Sequence, residues 1–408
     1  MTRKLLQINP VVRLNTSTGR IMKEIGEIAI AAGWESYIAY SGARDGVPQH
    51  SSQLIPVGNK LDLALHAVAT RLFDAHGLAS RRATKQLIRR IREIDPDIVH
   101  IHNVHGYWLN YPLLCQYLQE SGKPVIWTVH DCWLYTGHCY YYSAVGCDKW
   151  SSGCGHCPQK RAFPASWIFD RSARNWRDKQ RAFGSLERLT IAPVSEWIRK
   201  EMSRSFLKDK QFQVIHNGID LDIFKPEAAE GQERPAGTVI LGVASLWIGH
   251  EEKGVRDFIR LAGLLREDEH LVLVGRMSEA QRAAFPANVQ LIERTENVGK
   301  LAALYAGATA FVNPTWQDNY PTVNLEAIAC GTPVVTYRTG GSVEAVAEGT
   351  GFVVEQGDVA GLLARVRELA TMDRQAIAAR CRAHALQHFS KQERYQDYIR
   401  LYENLAAR

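Results

Sequence analysis

The sequence has no apolar run near the ~18–20 residues needed to cross a bilayer, which argues against a membrane-spanning segment. Its start, MTRKLLQINP, lacks the long apolar stretch of a secretory signal, so the cytoplasm is the expected compartment. Cysteine is scarce: eight in 408 residues are too few for disulfides to hold the fold together. No sustained repeat and no low-complexity tract occurs. Neither G-x-x-x-x-G-K-[ST] nor G-x-G-x-x-G is present, which removes the commonest ATPase and dinucleotide readings. A net charge of +6 selects none of nucleic acid, anionic membrane or phosphorylated substrate as a partner.

What is present points to a large globular protein. A chain of 408 residues predicts two to three domains, and 46% hydrophobic with 23% charged residues is a soluble globular composition. KLLQIN, ESYIAYS, DIVHIHN and PVIWTVH read as strands in the first half. QVIHN, TVILGVAS, HLVLVG, NVQLIER, TAFVNP and PVVTYR do so in the second. Segments with helical spacing lie between them, such as SRRATKQLIRRIREID and GVRDFIRLAGLLRED. Strands apolar on both faces, alternating with helices, predict parallel sheets covered on both sides. Repeated twice, the pattern predicts an α/β protein of two doubly wound, Rossmann-like domains, with ligands at the carboxyl ends of the strands in an inter-domain cleft. The expected division is 1–208, 209–386 and a terminal helix over 387–408 returning to the first domain. PEAAEGQERPAGT, residues 226–238, reads as a polar surface loop of the second domain.

The stretch DNYPTVNLEAIACGTPVV, residues 318–335, sets two carboxylates, Asp318 and Glu326, around Pro321. TAFVNP ends a strand, QDNY leaves it, and Pro321 suits a first helical turn because its missing N–H costs nothing there. Val323, Leu325, Ala327 and Ile328 give the helix its apolar contacts; Gly331 and Pro333 end it. The free amides of such a helix start favour an anion, and a diphosphate fits. Glu326 could accept hydrogen bonds from a ribose diol, and Asp318 from a second set of hydroxyls. A nucleotide sugar has that shape. Taken singly, each carboxylate is more often a helix cap, a dipole partner or a solvated side chain.

Two further features carry chemistry. Cys139, Cys147, Cys154 and Cys157 fall within twenty residues, the last two as Cys-x-x-Cys, with His138 and His156 flanking them. Four soft ligands suit a closed, structural zinc; two disulfides or buried free thiols are the alternatives. In SRRATKQLIRRIREID, Ala83, Leu87, Ile91 and Ile94 share one helical face, and Arg81, Lys85, Arg89 and Arg92 another. A solvated charged face is the plain reading, and attraction to an anionic membrane the functional one. FPASWIFDRSARNWRDKQR adds aromatics beside cations, compatible with the same surface. The short DLD at 220–222 follows HNG in a turn and is not read as a metal motif.

Residues 318–335 with the TGGSVEAV that follows resemble the donor-site signature of retaining glycosyltransferase family four, a family with the GT-B fold of two facing Rossmann-like domains. VIHNGIDLDIFKP, residues 214–226, is similar to the segment that opens the family's C-terminal domain. Lys253-Gly254 resembles its phosphate-binding lysine motif. DIVHIHNVHG and WTVHDCWLYTGHC look like a subgroup that builds bacterial capsular, exopolysaccharide or O-antigen chains. The resemblance runs in order over nearly the whole chain.

It implies a retaining hexosyltransferase that moves a sugar from a nucleotide-sugar donor to a glycan or lipid-linked oligosaccharide acceptor. The enzyme would be cytoplasmic, or peripheral on the inner face of the membrane, with no cofactor or catalytic metal required. Glu326 would hold the donor ribose and Asp318 the transferred sugar. Asn319, Tyr320, Pro321, Thr322 and Val323 would line the donor site, with the amides from Tyr320 to Val323 binding the diphosphate together with Lys253. Gly19, in NTSTGRI, stands where the family's N-terminal glycine loop approaches donor and acceptor; His130 matches the histidine lining the sugar pocket. Two positions depart from the pattern. Asp318 replaces a glutamate, and Ser245 stands about where an arginine is usual, so Arg276 or Arg20 becomes the candidate second cation on the phosphate. These departures motivate a competing reading, a carbohydrate- or nucleotide-binding subunit without turnover. A nucleotide-sugar epimerase on the same fold is another. A nucleic-acid binder is suggested only by charge, with no motif behind it.

Overall fold

The computed structural model describes residues 2–13, 16–44, 46–229 and 237–407. Residues 230–236 of the 226–238 loop and Asn15 of the NTSTGRI stretch lie outside them. The chain divides into two units, Met1–His216 with Arg394–Arg408, and Asn217–Glu393.

The first unit holds β1 (Lys4–Ile8), β2 (Glu35–Ser41), β3 (Gln53–Val57), β4 (Ile98–Ile101), β5 (Val125–Val129), β6 (Leu189–Pro193) and β7 (Gln211–Phe212). They form one parallel sheet in the order β3-β2-β1-β4-β5-β6-β7. Its helices are α1 (Ser17–Ala31), α2 (Lys60–Phe73), α3 (Arg81–Ile94), α4 (Tyr111–Ser121), α5 (Ser172–Gly184) and α6 (Glu196–Met202). Successive β1 residues explain why its sequence is apolar throughout. Leu6 and Ile8 bury in one cluster with Leu87 and Ile91 of α3, whereas Leu5 buries in another with Ile21 and Ile25 of α1. The latter cluster also takes Tyr395, Tyr398 and Tyr402 of the C-terminal helix, Lys391–Ala406.

The second unit holds β8 (Thr238–Leu246), β9 (Glu269–Arg276), β10 (Gln290–Ile292), β11 (Ala310–Asn313), β12 (Val334–Tyr337) and β13 (Gly351–Val354), in the order β10-β9-β8-β11-β12-β13. Its helices are α7 (Val255–Ala262), α8 (Glu279–Ala283), α9 (Val298–Gly307), α10 (Thr322–Ala329), α11 (Val359–Thr371) and α12 (Arg374–His388). Both sheets thus follow the doubly wound order in which the first strand of a unit lies inside the sheet, next to the fourth. The order reverses beside β1 and beside β8, the place where ligands bind in such sheets.

The strand reading missed β3, β6 and β13, which the structure adds to the sheets. β3 and β6 carry a proline, and β13 opens on Gly351 at φ +151°, features that weaken a strand pattern. QVIHN is not itself a strand: the paired residues are Gln211 and Phe212. Single bonds continue beyond them, Gln213 N–H to Ile191 O and Ile215 N–H to Pro193 O, so this segment stays on the first sheet and the first unit extends to His216.

Candidate functional site

In the second unit the residues expected to handle donor converge just past the carboxyl ends of β8 and β11. A 3-10 turn, Glu251–Lys253, leads into α7 through Gly254, whose φ is +84°. A Cβ there would stand 2.2 Å from the Pro314 carbonyl oxygen, so glycine is required both by the backbone angle and by the close approach. The same turn is strapped to the segment after β11. The Trp316 amide donates to Glu252 O at 2.7 Å, Thr315 Oγ1 to the same oxygen at 3.2 Å, and Trp316 Nε1 to Asp257 Oδ2 at 2.5 Å. Lys253 Nζ thereby meets Asp318 Oδ2 at 2.6 Å. Burial works against the ammonium form of Lys253, but the Asp318 carboxylate, by charge and hydrogen bond, outweighs it and lifts the lysine pKa.

Asp318 is held from behind as well. Its Oδ1 accepts from the Asn319 amide at 2.9 Å, and its carbonyl accepts from the Gly341 amide at 3.3 Å. Gly340, at φ +50°, packs so close that a Cβ would lie 2.1 Å from that carbonyl oxygen. The glycines of TGGSVEAV therefore bring their turn against the backbone of Asp318. α10 begins at Thr322 with Pro321 as its cap, and no side chain caps its first amides. Thr322 and Val323 are half-buried, while Asn319, Tyr320 and Pro321 are buried. The helix ends as expected, with Gly331 at φ +78° after Cys330.

Glu326, one turn into α10, is buried and accepts from Tyr305 OH at 3.2 Å. Beside it runs a polar network the sequence reading did not single out. Asn313 Nδ2 donates to Asn324 Oδ1 at 2.8 Å, and Asn324 Nδ2 to Ser342 O at 3.0 Å. Thr336 Oγ1 donates to Asn313 O at 2.8 Å and lies 2.8 Å from Ser342 Oγ. It ties β11, α10, β12 and the turn at Gly340–Ala345 into one rigid edge. A buried asparagine inside an apolar helix, as in TVNLEAIA, was the available signal. Ser245 and Arg276 are both exposed at the ends of adjacent strands, where Leu246 pairs with Arg276.

In the first unit the carboxyl ends of β4 and β5 carry a different chemistry. His100, fully buried, has Tyr402 OH at 2.6 Å from Nδ1 and Thr128 Oγ1 at 2.7 Å from Nε2. His102 Nδ1 lies 3.2 Å from His130 Nε2, with the two rings stacked at 5.5 Å, and His102 Nε2 lies 3.1 Å from Gln7 Oε1. Burial pushes His100 down to about 3 and His130 down to about 4, and holds His102 well below its ordinary value, so the row is neutral near pH 7. Past His130, Asp131 Oδ2 faces His105 Nε2 at 2.9 Å, and its Oδ1 accepts from the Trp133 amide. Burial alone would raise the Asp131 carboxyl, but His105 and that amide outweigh it and hold it below the usual range. A small hollow is lined by His102, His105, His130 and Asp131, among others. Asp131 and His105 were inside quoted stretches but were not singled out.

Gly19 sits in the first turn of α1 and not in a loop. Its role there is steric: a Cβ would stand 2.3 Å from Arg13 O and 2.7 Å from Thr16 Oγ1, the atom that caps the helix at the Gly19 amide. Arg20 follows in the same turn, half-buried. Cys139, Cys147, Cys154 and Cys157 all line a second, small hollow in the first unit. Arg81, Lys85, Arg89 and Arg92 of α3 are exposed, opposite its buried Ala83, Leu87, Ile91 and Ile94. No helix among the described residues is long and apolar enough to cross a membrane.

Known proteins match both units. The profile described as Glycosyltransferase Family 4 covers residues 18–223, and that described as Glycosyl transferases group 1 covers residues 237–372. WcaC of Escherichia coli (strain K12), assigned to colanic acid biosynthesis as a glycosyl transferase, is 24% identical over 420 aligned positions, spanning 98% of this chain and 100% of that protein. Among solved structures, sucrose-phosphate synthase from Thermosynechococcus elongatus superposes with a TM-score of 0.71 at 17% identity, covering 99% of each chain. Anabaena HepE in complex with UDP-glucose superposes with a TM-score of 0.65 at 16% identity, covering 98% of this chain and 99% of that one.

Proposed function

The chain belongs to glycosyltransferase family 4 and has the GT-B fold, and from that premise we propose that it is a retaining hexosyltransferase using a nucleotide-sugar donor. Its acceptor is a lipid-linked glycan, and its product a bacterial surface polysaccharide. The observation that carries the donor half is the Lys253–Asp318 pair beside the uncapped start of α10. A cation, free helix amides and a carboxylate within one small region suit a sugar diphosphate: cation and amides for the phosphates, carboxylate for sugar hydroxyls.

In this reading the diphosphate displaces Asp318 from Lys253 and takes the ammonium for itself. Asp318, held in place by Asn319 and Gly341, turns to the hydroxyls of the transferred sugar. Glu326, steadied by Tyr305, accepts from the ribose. The bond from the anomeric carbon to the diphosphate oxygen breaks as the acceptor oxygen forms its bond on the same face. The departing phosphate oxygen accepts the acceptor's proton. Lys253 and the α10 amides stabilise the leaving charge, with Arg276 or Arg20 as the second cation where Ser245 offers none. The neutral His130 is a positioning group for the sugar. HepE, whose structure with UDP-glucose shares this fold, supports a nucleotide-sugar donor, and WcaC supports surface polysaccharide as the product class.

The acceptor half rests on an exposed apolar surface in the first unit. Leu61, Leu65 and Val68 lie along α2 with Phe73 at its end, and Trp167, Ile168 and Phe169 follow in a neighbouring loop. Phe73 stacks on Phe169 at 5.9 Å, and the Arg71 guanidinium sits 5.5 Å over Trp167. Apolar and aromatic side chains mixed with arginine suit the headgroup region of an anionic membrane, where a polyprenyl-linked acceptor would reside.

The test is thermal stability against a panel of UDP-, GDP-, dTDP-, CMP- and ADP-sugars, with Glu326→Ala as control. A ligand at about a hundred times its dissociation constant stabilises by ~2.7 kcal/mol. One responding nucleotide, silent in the variant, followed by sugar transfer with retained anomeric configuration, is the expected result. An epimerised donor, or binding without transfer to any lipid-linked glycan, overturns the reading.

A further inference from the structure

Residues 135–171 form a long stretch of the first unit with little regular structure: two 3-10 turns, Ser143–Val145 and Lys149–Ser151, and no helix or strand. Loops longer than about 12–15 residues need something to hold them, because their own backbone bonds do not offset the entropy of ordering. Four cysteines from three parts of this stretch line one hollow. All four are free thiols; Cys139 is buried and Cys147, Cys154 and Cys157 are half-buried.

We propose that Cys139, Cys147, Cys154 and Cys157 are the four ligands of a structural zinc ion that staples this stretch. One of the sulfurs is already engaged as an acceptor: Cys154 Sγ accepts from the Gly137 amide at 3.1 Å. Gly137 is required for this approach, since a Cβ there would stand 2.7 Å from Cys154 Cβ. The turn inside Cys-x-x-Cys is set before any ion arrives: Lys149 Nζ donates to Gly155 O at 3.1 Å and to His156 O at 3.2 Å, and His156 takes φ +47°.

A second observation points at the same hollow. His138, which lines it, is 3% exposed, and its Nε2 is buried with no hydrogen-bond partner. Its Nδ1 is fixed by Asp74 Oδ1 at 2.6 Å, while Asp74 Oδ2 accepts from the Arg171 amide. A buried imidazole clamped by a carboxylate, with its other nitrogen unused, is the outer partner a charged ligand cluster recruits: Nε2–H would donate to a ligand sulfur. Among the described residues no three histidine, cysteine or carboxylate side chains stand close enough together, as they are placed, to hold a metal ion. Closing four sulfurs to the ~2.3 Å of a zinc–thiolate bond therefore requires side-chain rotation into the hollow they already share.

The experiment is metal analysis of the purified full-length chain by mass spectrometry, with thiol counting as the chelator removes metal. The expected result is one zinc per chain, and four thiols that become reactive together as it leaves. Cobalt loaded in its place should show the visible absorption of a tetrahedral thiolate site, and Cys115→Ser should leave all of this unchanged. Cys154→Ser should lose the metal, and His138→Gln should keep it with an affinity about 10–100-fold weaker. Should Cys154→Ser fail to fold, the coupled release of zinc and thiols from the wild-type chain decides alone. A protein with no zinc after expression in zinc-replete medium, or with Cys139 and Cys157 oxidised to a disulfide, overturns the proposal.

Discussion

The carboxyl edges of the two sheets share a strand order and differ in how they hold polar groups. The second unit's edge is ionic: Lys253 and Asp318 face each other on turns that glycines press against neighbouring carbonyls. The first unit's edge carries a neutral row: His100, His102 and His130, discharged by burial and joined to tyrosine, threonine and glutamine, with the Asp131 carboxylate held by His105 just past it. A fixed charge pair suits a ligand whose charge grows as it leaves, because its donors are already oriented. A neutral, hydrogen-bonded row suits placement of uncharged hydroxyls, where an imidazolium would only add a desolvation cost. One topology thus carries two kinds of polar edge, set by the side chains placed on it.

The largest effect expected from breaking this contrast comes from the ionic side. Lys253→Ala should lower kcat/KM by about 10²–10³-fold, the range for losing one preorganised donor to a developing charge. His130→Ala, on the neutral side, should cost less and should act mainly through KM. Steady-state kinetics with the identified donor distinguish the two. Equal losses in kcat would mean that the edges do not divide the work as their charges suggest.

Next in size is the scaffold under the charge. Gly254→Ala places a Cβ 2.2 Å from Pro314 O at a φ of +84°, so it must move the Lys253 turn or strain it. The expected cost is about 1–3 kcal/mol, seen as a lowered Tm, with donor binding weakened as well. An unchanged Tm would show that the strap between Glu252 and Trp316 is looser than its bonds imply.

How much of this was legible beforehand follows from where the information is stored. Strands buried on both faces announce themselves as apolar runs, so the two parallel sheets were readable, as were the start and stop of α10 from its proline and glycine. β3 and β13 were not, since an edge strand needs only half the pattern and tolerates the proline at Pro56 or the glycine at Gly351. Nor was the function of Gly340 or Gly254. A positive φ and a carbonyl two ångströms from an absent Cβ are properties of two segments meeting, and neither segment contains them alone. The histidines of DIVHIHN show the same limit. Alternation places His100 and His102 on one side of that segment, but the burial that keeps them neutral comes from segments far along the chain, with Tyr402 OH 2.6 Å from His100 Nδ1.

The neutral row makes a pH prediction with a definite sign. His100 is held at about 3 against an ordinary value near 6.5, with burial as the main cause, so it binds a proton in the unfolded chain before it does in the folded one. Its contribution to stability is therefore complete above about pH 6.5 and is lost as pH falls towards its folded value. Tm should drop across that window, and His100→Gln should drop less steeply while starting lower at pH 7. Parallel curves for the two proteins would show that His100 is not the group that titrates.

The smallest effect sharpens the ionic side. Tyr305→Phe removes only the hydroxyl that donates to Glu326 Oε2 at 3.2 Å, leaving the ring in its contacts with Phe224 and Phe311. Losing one donor to a buried carboxylate costs roughly 1.5–3 kcal/mol when it goes unreplaced, and less where another group can turn to the oxygen. If Glu326 is the ribose contact, the freed oxygen gains such a group whenever donor is bound. The variant should then lose stability in the empty protein and recover part of it with nucleotide, so that its ligand-induced rise in Tm exceeds that of the wild type. An equal rise in both proteins would place the nucleotide away from Glu326 and leave Lys253 and the α10 amides as the donor contacts on that edge.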